Sequence, residues 1–122
     1  MSVKQVTAAG SRPGSKAVRA ALAGLQAALL RLYGSDAPAI VIYGSYARRQ
    51  ARATSDLDVL LLYAEPVQRG REIKRLSDTL SDLNLRYNVV ISVLPADQAE
   101  YQDSTSPFWL NVRREGVGLG AF

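Results

Sequence analysis

The chain has 122 residues, 48% of them apolar, and its 15 basic and 11 acidic side chains leave a net charge of +4. That length suits one modest domain with a real core. Cysteine and histidine are absent, which excludes disulfides, thiolate or imidazole zinc sites, and any triad built on His or Cys. Chemistry must therefore run on carboxylates, hydroxyls and basic groups. The longest apolar runs, residues 39–43 and 59–63, are strand-length, and no signal segment is apparent, so a cytoplasmic protein with no membrane segment is expected. The basic excess fits an anionic ligand but is too slight for direct nucleic-acid binding to be expected.

Residues 1–15 lack apolar periodicity and end in Gly10-Ser11-Arg12-Pro13-Gly14-Ser15, the composition of a flexible lead-in. The folded domain is expected to span residues 16–122. Val18, Leu22, Leu25, Leu29 and Leu32 recur at spacings of 4, 3, 4 and 3, which predicts an amphipathic helix capped by Ser15 and ended by Gly34. The β-branched run Ala39-Ile40-Val41-Ile42-Tyr43 predicts a buried strand. A brief helix over 46–50 and a second strand over 56–63 follow. Period-2 alternation puts Asp56, Asp58 and Leu60 on one face of that strand and Leu57, Val59 and Leu61 on the other.

Ile73, Leu76, Leu80 and Leu83 predict a second amphipathic helix with its charges outward, including Arg69, Arg71, Lys74 and Arg75. A third strand is expected over 89–94. Short helices are expected over 96–102 and 107–115, the latter with Ser106 as cap and Pro107 at its first position. Gly116, Gly118 and Gly120 close the chain as turn or edge strand, and Phe108, Trp109 and Phe122 are expected to close the core. This order of elements describes an α/β (α+β) domain on a small mixed sheet.

One stretch carries chemistry. Gly44 and Ser45 end the first strand, and ten residues later come Asp56 and Asp58. A glycine at a strand-to-helix turn lets backbone approach a ligand closely, and the exposed amides of the turn favour an anion such as phosphate. Two aspartates at i and i+2 of a strand stand roughly 6–7 Å apart on one face, so both can ligate a hard divalent cation such as Mg²⁺ or Mn²⁺. A phosphate cradle beside a metal site suits in-line attack at a nucleotide phosphorus. Gly14-Ser15 and Gly34-Ser35 act as internal controls, because neither is followed by an Asp pair at that distance.

The segment resembles the GSX10DXD motif of the polymerase-β nucleotidyltransferase superfamily, and more narrowly its minimal members, the MNT proteins paired with HEPN toxins. The similarity spans residues 40–119 and includes Ser106-Pro107-Phe108 through Arg114-Glu115-Gly116-Val117, a tail common in such members. The resemblance implies a polymerase-β-like fold, with Gly44 and Ser45 holding the nucleotide triphosphate and Asp56 and Asp58 binding the catalytic metals. It implies that Arg48 either helps with phosphate or braces the turn. It further implies AMP transfer from ATP to a hydroxyl on a HEPN toxin, with the chain as antitoxin, and it leaves homo- and hetero-oligomers both open.

Full catalytic members carry a third carboxylate on the third strand, which completes the metal site and can act as general base. Here that strand has no acid, and alternation offers Asn88 or Ser92 in its place. The alternative reading is therefore a non-catalytic domain of the same fold that neutralises its toxin by binding.

Overall fold

A computed structural model of the chain describes residues 15–52 and 54–122. The proposed lead-in and the Ser15 cap lie outside the described residues and side chains. Helix α1 (Ser15–Tyr33) leads into strand β1 (Ala39–Tyr43), and a turn and loop join it to β2 (Leu57–Tyr63). Helix α2 (Arg69–Tyr87) then crosses to β3 (Ile91–Asp97), and α3 (Gln98–Asp103), α4 (Pro107–Glu115) and the short β4 (Val117–Gly118) complete the order. The four strands form one mixed sheet in the order β3-β2-β1-β4, with β2 and β3 parallel and the other two pairs antiparallel.

Alternation along the strands divides the core in two. Ile40, Ile42, Leu57, Val59, Leu61 and Ile91 face α1 and α2, and they bury Val18, Leu22, Leu25, Leu29, Leu76 and Leu83 beneath them. Leu60, Leu62 and Ala96 face the other way, against Trp109 and Val112 of α4. Each fully covered aliphatic side chain of this kind contributes about 1.5–3 kcal/mol. Trp109 thus closes a core as expected, whereas Phe108 stands half-exposed with its ring edge-on to Tyr43 and to Trp109. Ser106 caps α4 by accepting from the Trp109 amide, with Pro107 in the first turn.

Four elements differ from the sequence pattern. Strand β2 starts at Leu57, which leaves Asp56 just outside it and not on a strand face with Asp58. Residues 44–50 form hydrogen-bonded turns and no regular helix, because Arg49 takes a left-handed φ of 59° and stops propagation. Strand β3 runs two residues later at its start and three at its end than its β-branched run suggests. Asn88 in a left-handed conformation ends α2, and Pro95 is tolerated inside β3 because β3 is an edge strand. The start of α3 moves from 96 to Gln98, where Asp97 accepts from the Glu100 amide as its cap.

The outward charges of α2 have one exception. Glu72 is only 5% exposed while Ile73 is 41% exposed, so the stripe rotates by one residue at its start. The reason is a polar network. Glu72 accepts from the Tyr33 hydroxyl at 2.6 Å and from Arg71 at 3.3 Å, and Tyr63 donates to Tyr33 at 3.1 Å. The Arg75 guanidinium lies 4.4 Å from the Tyr33 ring centre and donates to the Leu32 carbonyl. This ties α1, β2 and α2 together at the end of the sheet away from the glycine turn. Glu72→Ala strips the acceptor from a part-buried hydroxyl and should cost about 1 kcal/mol, read as a lower urea midpoint with an unchanged denaturant slope.

Candidate active site

The end of β1 and the start of β2 are held side by side by antiparallel pairing, with Tyr43 opposite Asp58. Asp58 shares its face with Leu60, so its carboxylate emerges on the α4 side of the sheet, at the end α4 leaves uncovered. Asp56 stands one residue before the strand and is exposed. Gly44 follows Tyr43 with φ +75°, a left-handed conformation. A Cβ at Gly44 would collide with the Asp58 carboxylate. Glycine is therefore required twice, for its dihedral and for its missing side chain.

After Gly44 the chain coils back. The Arg48 amide bonds to the Gly44 carbonyl at 3.1 Å, Arg49 to the Tyr46 carbonyl at 3.2 Å, and Gln50 to the Ser45 carbonyl at 2.8 Å. Tyr46 is buried in the core and anchors this turn, while Ser45 is half-buried and Arg48 is exposed. Arg49 and Arg52 are exposed beyond the turn.

A further acid enters the site from α4. One oxygen of Glu115 accepts from the Gly44 amide at 3.0 Å and from Arg48 at 3.1 Å. Its position is enforced locally. Glu115 is the last residue of α4, the Gly116 amide closes the helix onto the Val112 carbonyl, and Val117 pairs with Ile42 of β1. A side chain at Gly116 would strike Val112 and Val41, so only glycine lets the chain leave the helix this close to β1. Sequence reasoning saw Glu115 only as part of a familiar tail. The signal was an acid immediately before a glycine that feeds an edge strand.

The third strand supplies no carboxylate beside Asp58, and its one acid, Asp97, lies at the far end opposite Tyr63. Ser92 pairs with Asp58, and Val90, 55% exposed, accepts the Leu57 amide through its carbonyl. Of the two expected stand-ins, Ser92 lies beside Asp58, but Asn88 is taken up in ending α2. Asp82 is paired to Arg86 and Asp97 caps α3, so neither acid serves the site. Among the described residues no group of three or more acidic side chains is disposed to hold a metal ion.

Electrostatics single out Asp58. Partial burial pushes its carboxyl above the ordinary 3.8, the Asp56 and Glu115 charges add to the rise, and Arg48 opposes it. Burial also raises the neighbouring Tyr43 hydroxyl, with Asp58 contributing. Clustered, partly desolvated carboxylates repel one another and favour an arriving cation. The donor set is oxygen only, so two carboxylates with substrate phosphate and water fit a hard divalent ion such as Mg²⁺.

Comparison with known proteins gives the family. The family model "Polymerase beta, Nucleotidyltransferase" matches residues 29–105. Two Methanocaldococcus jannaschii proteins named as protein adenylyltransferases are each 48% identical over 44 residues, 36% of this chain and 44% of theirs. The matching segment thus spans less than half the length of those relatives. A toxin–antitoxin crystal structure with AMP-PNP superposes at TM-score 0.54 and 18% identity, over 83% of this chain and 71% of the other. A mutant MntA–HpeT toxin–antitoxin superposes at 0.50 and 17% identity, over 76% and 67%. The chain belongs to the polymerase beta nucleotidyltransferase family. Among the described residues no helix is long and apolar enough to cross a membrane.

Two stability measurements test the contact between the turn and Asp58. Gly44→Ala should destabilise by more than about 1 kcal/mol, with part of the loss recovered in the Gly44→Ala/Asp58→Ala double variant. Asp58 has a raised folded pKa, so its ionisation costs the folded state stability above that value and costs nothing below 3.8. Asp58→Asn should therefore raise the melting temperature at neutral pH, and the gain should vanish below pH 3.8.

Proposed function

We propose that the protein is a Mg²⁺-dependent adenylyltransferase that moves AMP from ATP to a hydroxyl, most naturally a tyrosine, of a partner HEPN-type toxin, and so acts as an antitoxin. One observation carries the reading: Asp58 and the Gly44 turn are pressed together by strand pairing, with Asp56 and Arg48 beside them. An anion cradle touching a carboxylate pair is the arrangement that nucleotidyl transfer needs. The names of the adenylyltransferase relatives support the choice of AMP, and the toxin–antitoxin neighbours support a toxin as acceptor.

In this reading Ser45 and the amides of its turn bind the triphosphate, and Arg48 neutralises phosphate charge. Asp56 and Asp58 would hold the divalent cation, whose chemistry is to neutralise charge on the transferring and leaving oxygens. The acceptor oxygen attacks the α-phosphorus, the bond to the β-phosphate oxygen breaks, and pyrophosphate departs. With Ser92 of β3 beside Asp58 and Val90 just before that strand, no side chain there serves as a base and the acceptor proton passes to water, so turnover should be slow. Asp56, Asp58, Gly44, Ser45 and Arg48 are the residues on which the proposal rests, and the domain is taken to be residues 16–122.

The lack of a β3 acid beside Asp58 favours a second reading, in which the fold binds its toxin without modifying it. Incubation of the co-purified pair with α-labelled ATP and Mg²⁺ separates the two. Transfer requires label on the partner, reduced about 100-fold or more by Asp56→Ala or Asp58→Ala and more mildly by Ser45→Ala. No label with Mg²⁺ or Mn²⁺, together with toxin protection that survives Asp58→Ala, supports binding alone.

A further inference from the structure

The groups assigned to phosphate on the proposed reading are already engaged by a carboxylate. A single Glu115 oxygen takes both the Gly44 amide and the Arg48 guanidinium. Its side chain is 19% exposed, against 46% for Arg48, so the acid sits inside while the arginine keeps an open side towards solvent. We propose that Glu115 is the resident anion of the cradle: it holds Arg48 when no nucleotide is bound, yields it to an entering triphosphate, and makes that handover depend on the metal.

Charge balance gives the argument. The Asp58 carboxyl feels the charges of Asp56, Glu115 and Arg48, so three carboxylates share one guanidinium, which is paired to Glu115. A metal-free triphosphate meets this excess negative charge and must also displace Glu115 from Arg48. A triphosphate carrying Mg²⁺ brings two positive charges to the carboxylates, and its phosphates compete for Arg48 more strongly than one carboxylate does. Glu115 is pinned by the Gly116 helix end and the β4 pairing, so its oxygen can keep the Gly44 amide while the flexible arginine swings. The outcome is selection for metal-loaded over free nucleotide by a residue that touches neither reacting atom.

The inference rests on the nucleotidyltransferase reading and is tested by calorimetric titration of ATP in EDTA and in excess Mg²⁺. Glu115→Gln keeps an oxygen for the Gly44 amide and removes only the charge. It should bind metal-free ATP on the order of tenfold more tightly than the native chain, with less than about a threefold change for the Mg²⁺ complex. The metal-free gain should vanish in the Arg48→Ala background, which a merely structural brace would not produce. Equal or weaker metal-free binding by Glu115→Gln, at unchanged melting temperature, overturns the proposal. Should Glu115→Gln not fold, Glu115→Asp, which withdraws the charge by one methylene, must show the same direction, and its failure to do so overturns the proposal equally. If the native chain binds Mg²⁺-ATP but the variants show no gain, only the role of Glu115 fails. If neither native chain nor variants bind ATP in any form, the nucleotide reading falls and takes this inference with it.

Discussion

The site depends on one contact, the pressing of the Asp58 carboxylate against the bare Cα of Gly44. Antiparallel pairing of β1 and β2 sets it, because Tyr43 faces Asp58 in the last rung of the ladder. Every residue of the candidate site is measured from that rung. The turn leaves β1 in a left-handed conformation that only glycine adopts cheaply, and buried Tyr46 fixes where it goes. The ten residues between Ser45 and Asp56 thus form a closed excursion whose two ends are clamped by the sheet.

The opposite face of the sheet provides the rigidity. Side chains of α1 and α2 cover it with a continuous aliphatic core, and the Tyr33–Tyr63–Glu72 network locks the far end. On the face that carries Asp58, α4 covers only the middle of the strands through Trp109 and Val112, leaving Asp58 at an open margin. The same helix ends in Glu115, which returns to the cradle. The site is therefore built from both ends of the chain's β structure, with β4 fastening the C-terminal acid beside the first strand. Like-charge crowding at this margin costs fold stability and favours cations, a trade common where function is selected over stability.

Much of this was legible because local pattern and tertiary demand coincide. The spacing of Val18, Leu22, Leu25 and Leu29, the β-branched run ending at Tyr43, and the Ser106-Pro107 helix start each follow one period or one cap, and each element forms where that signal lies. Leu32 does not join the stripe, being left exposed at the end of α1. The burial of Glu72 was hidden, because only tertiary placement brings Tyr33 and Arg75 to it. Strand β3 was misplaced because its pairing with β2, and not its apolar run, sets its limits, which lets Pro95 sit inside it. Glu115 escaped notice for the same reason. Its partners Gly44 and Arg48 are 71 and 67 residues away in sequence, a distance over which no periodicity speaks. The motif residues could be named from spacing alone, but the acid that answers them could not.

The central claim is that the carboxylates of Asp56 and Asp58 and the Gly44–Ser45 turn form one metal–nucleotide pocket. Anomalous diffraction from crystals grown with Mn²⁺ and a non-hydrolysable ATP analogue tests it most directly. The account predicts a manganese peak contacting both aspartates and the triphosphate, with the phosphates seated on the Gly44–Ser45 turn. A nucleotide bound elsewhere, or bound at the turn with no metal at Asp56 and Asp58, would contradict it.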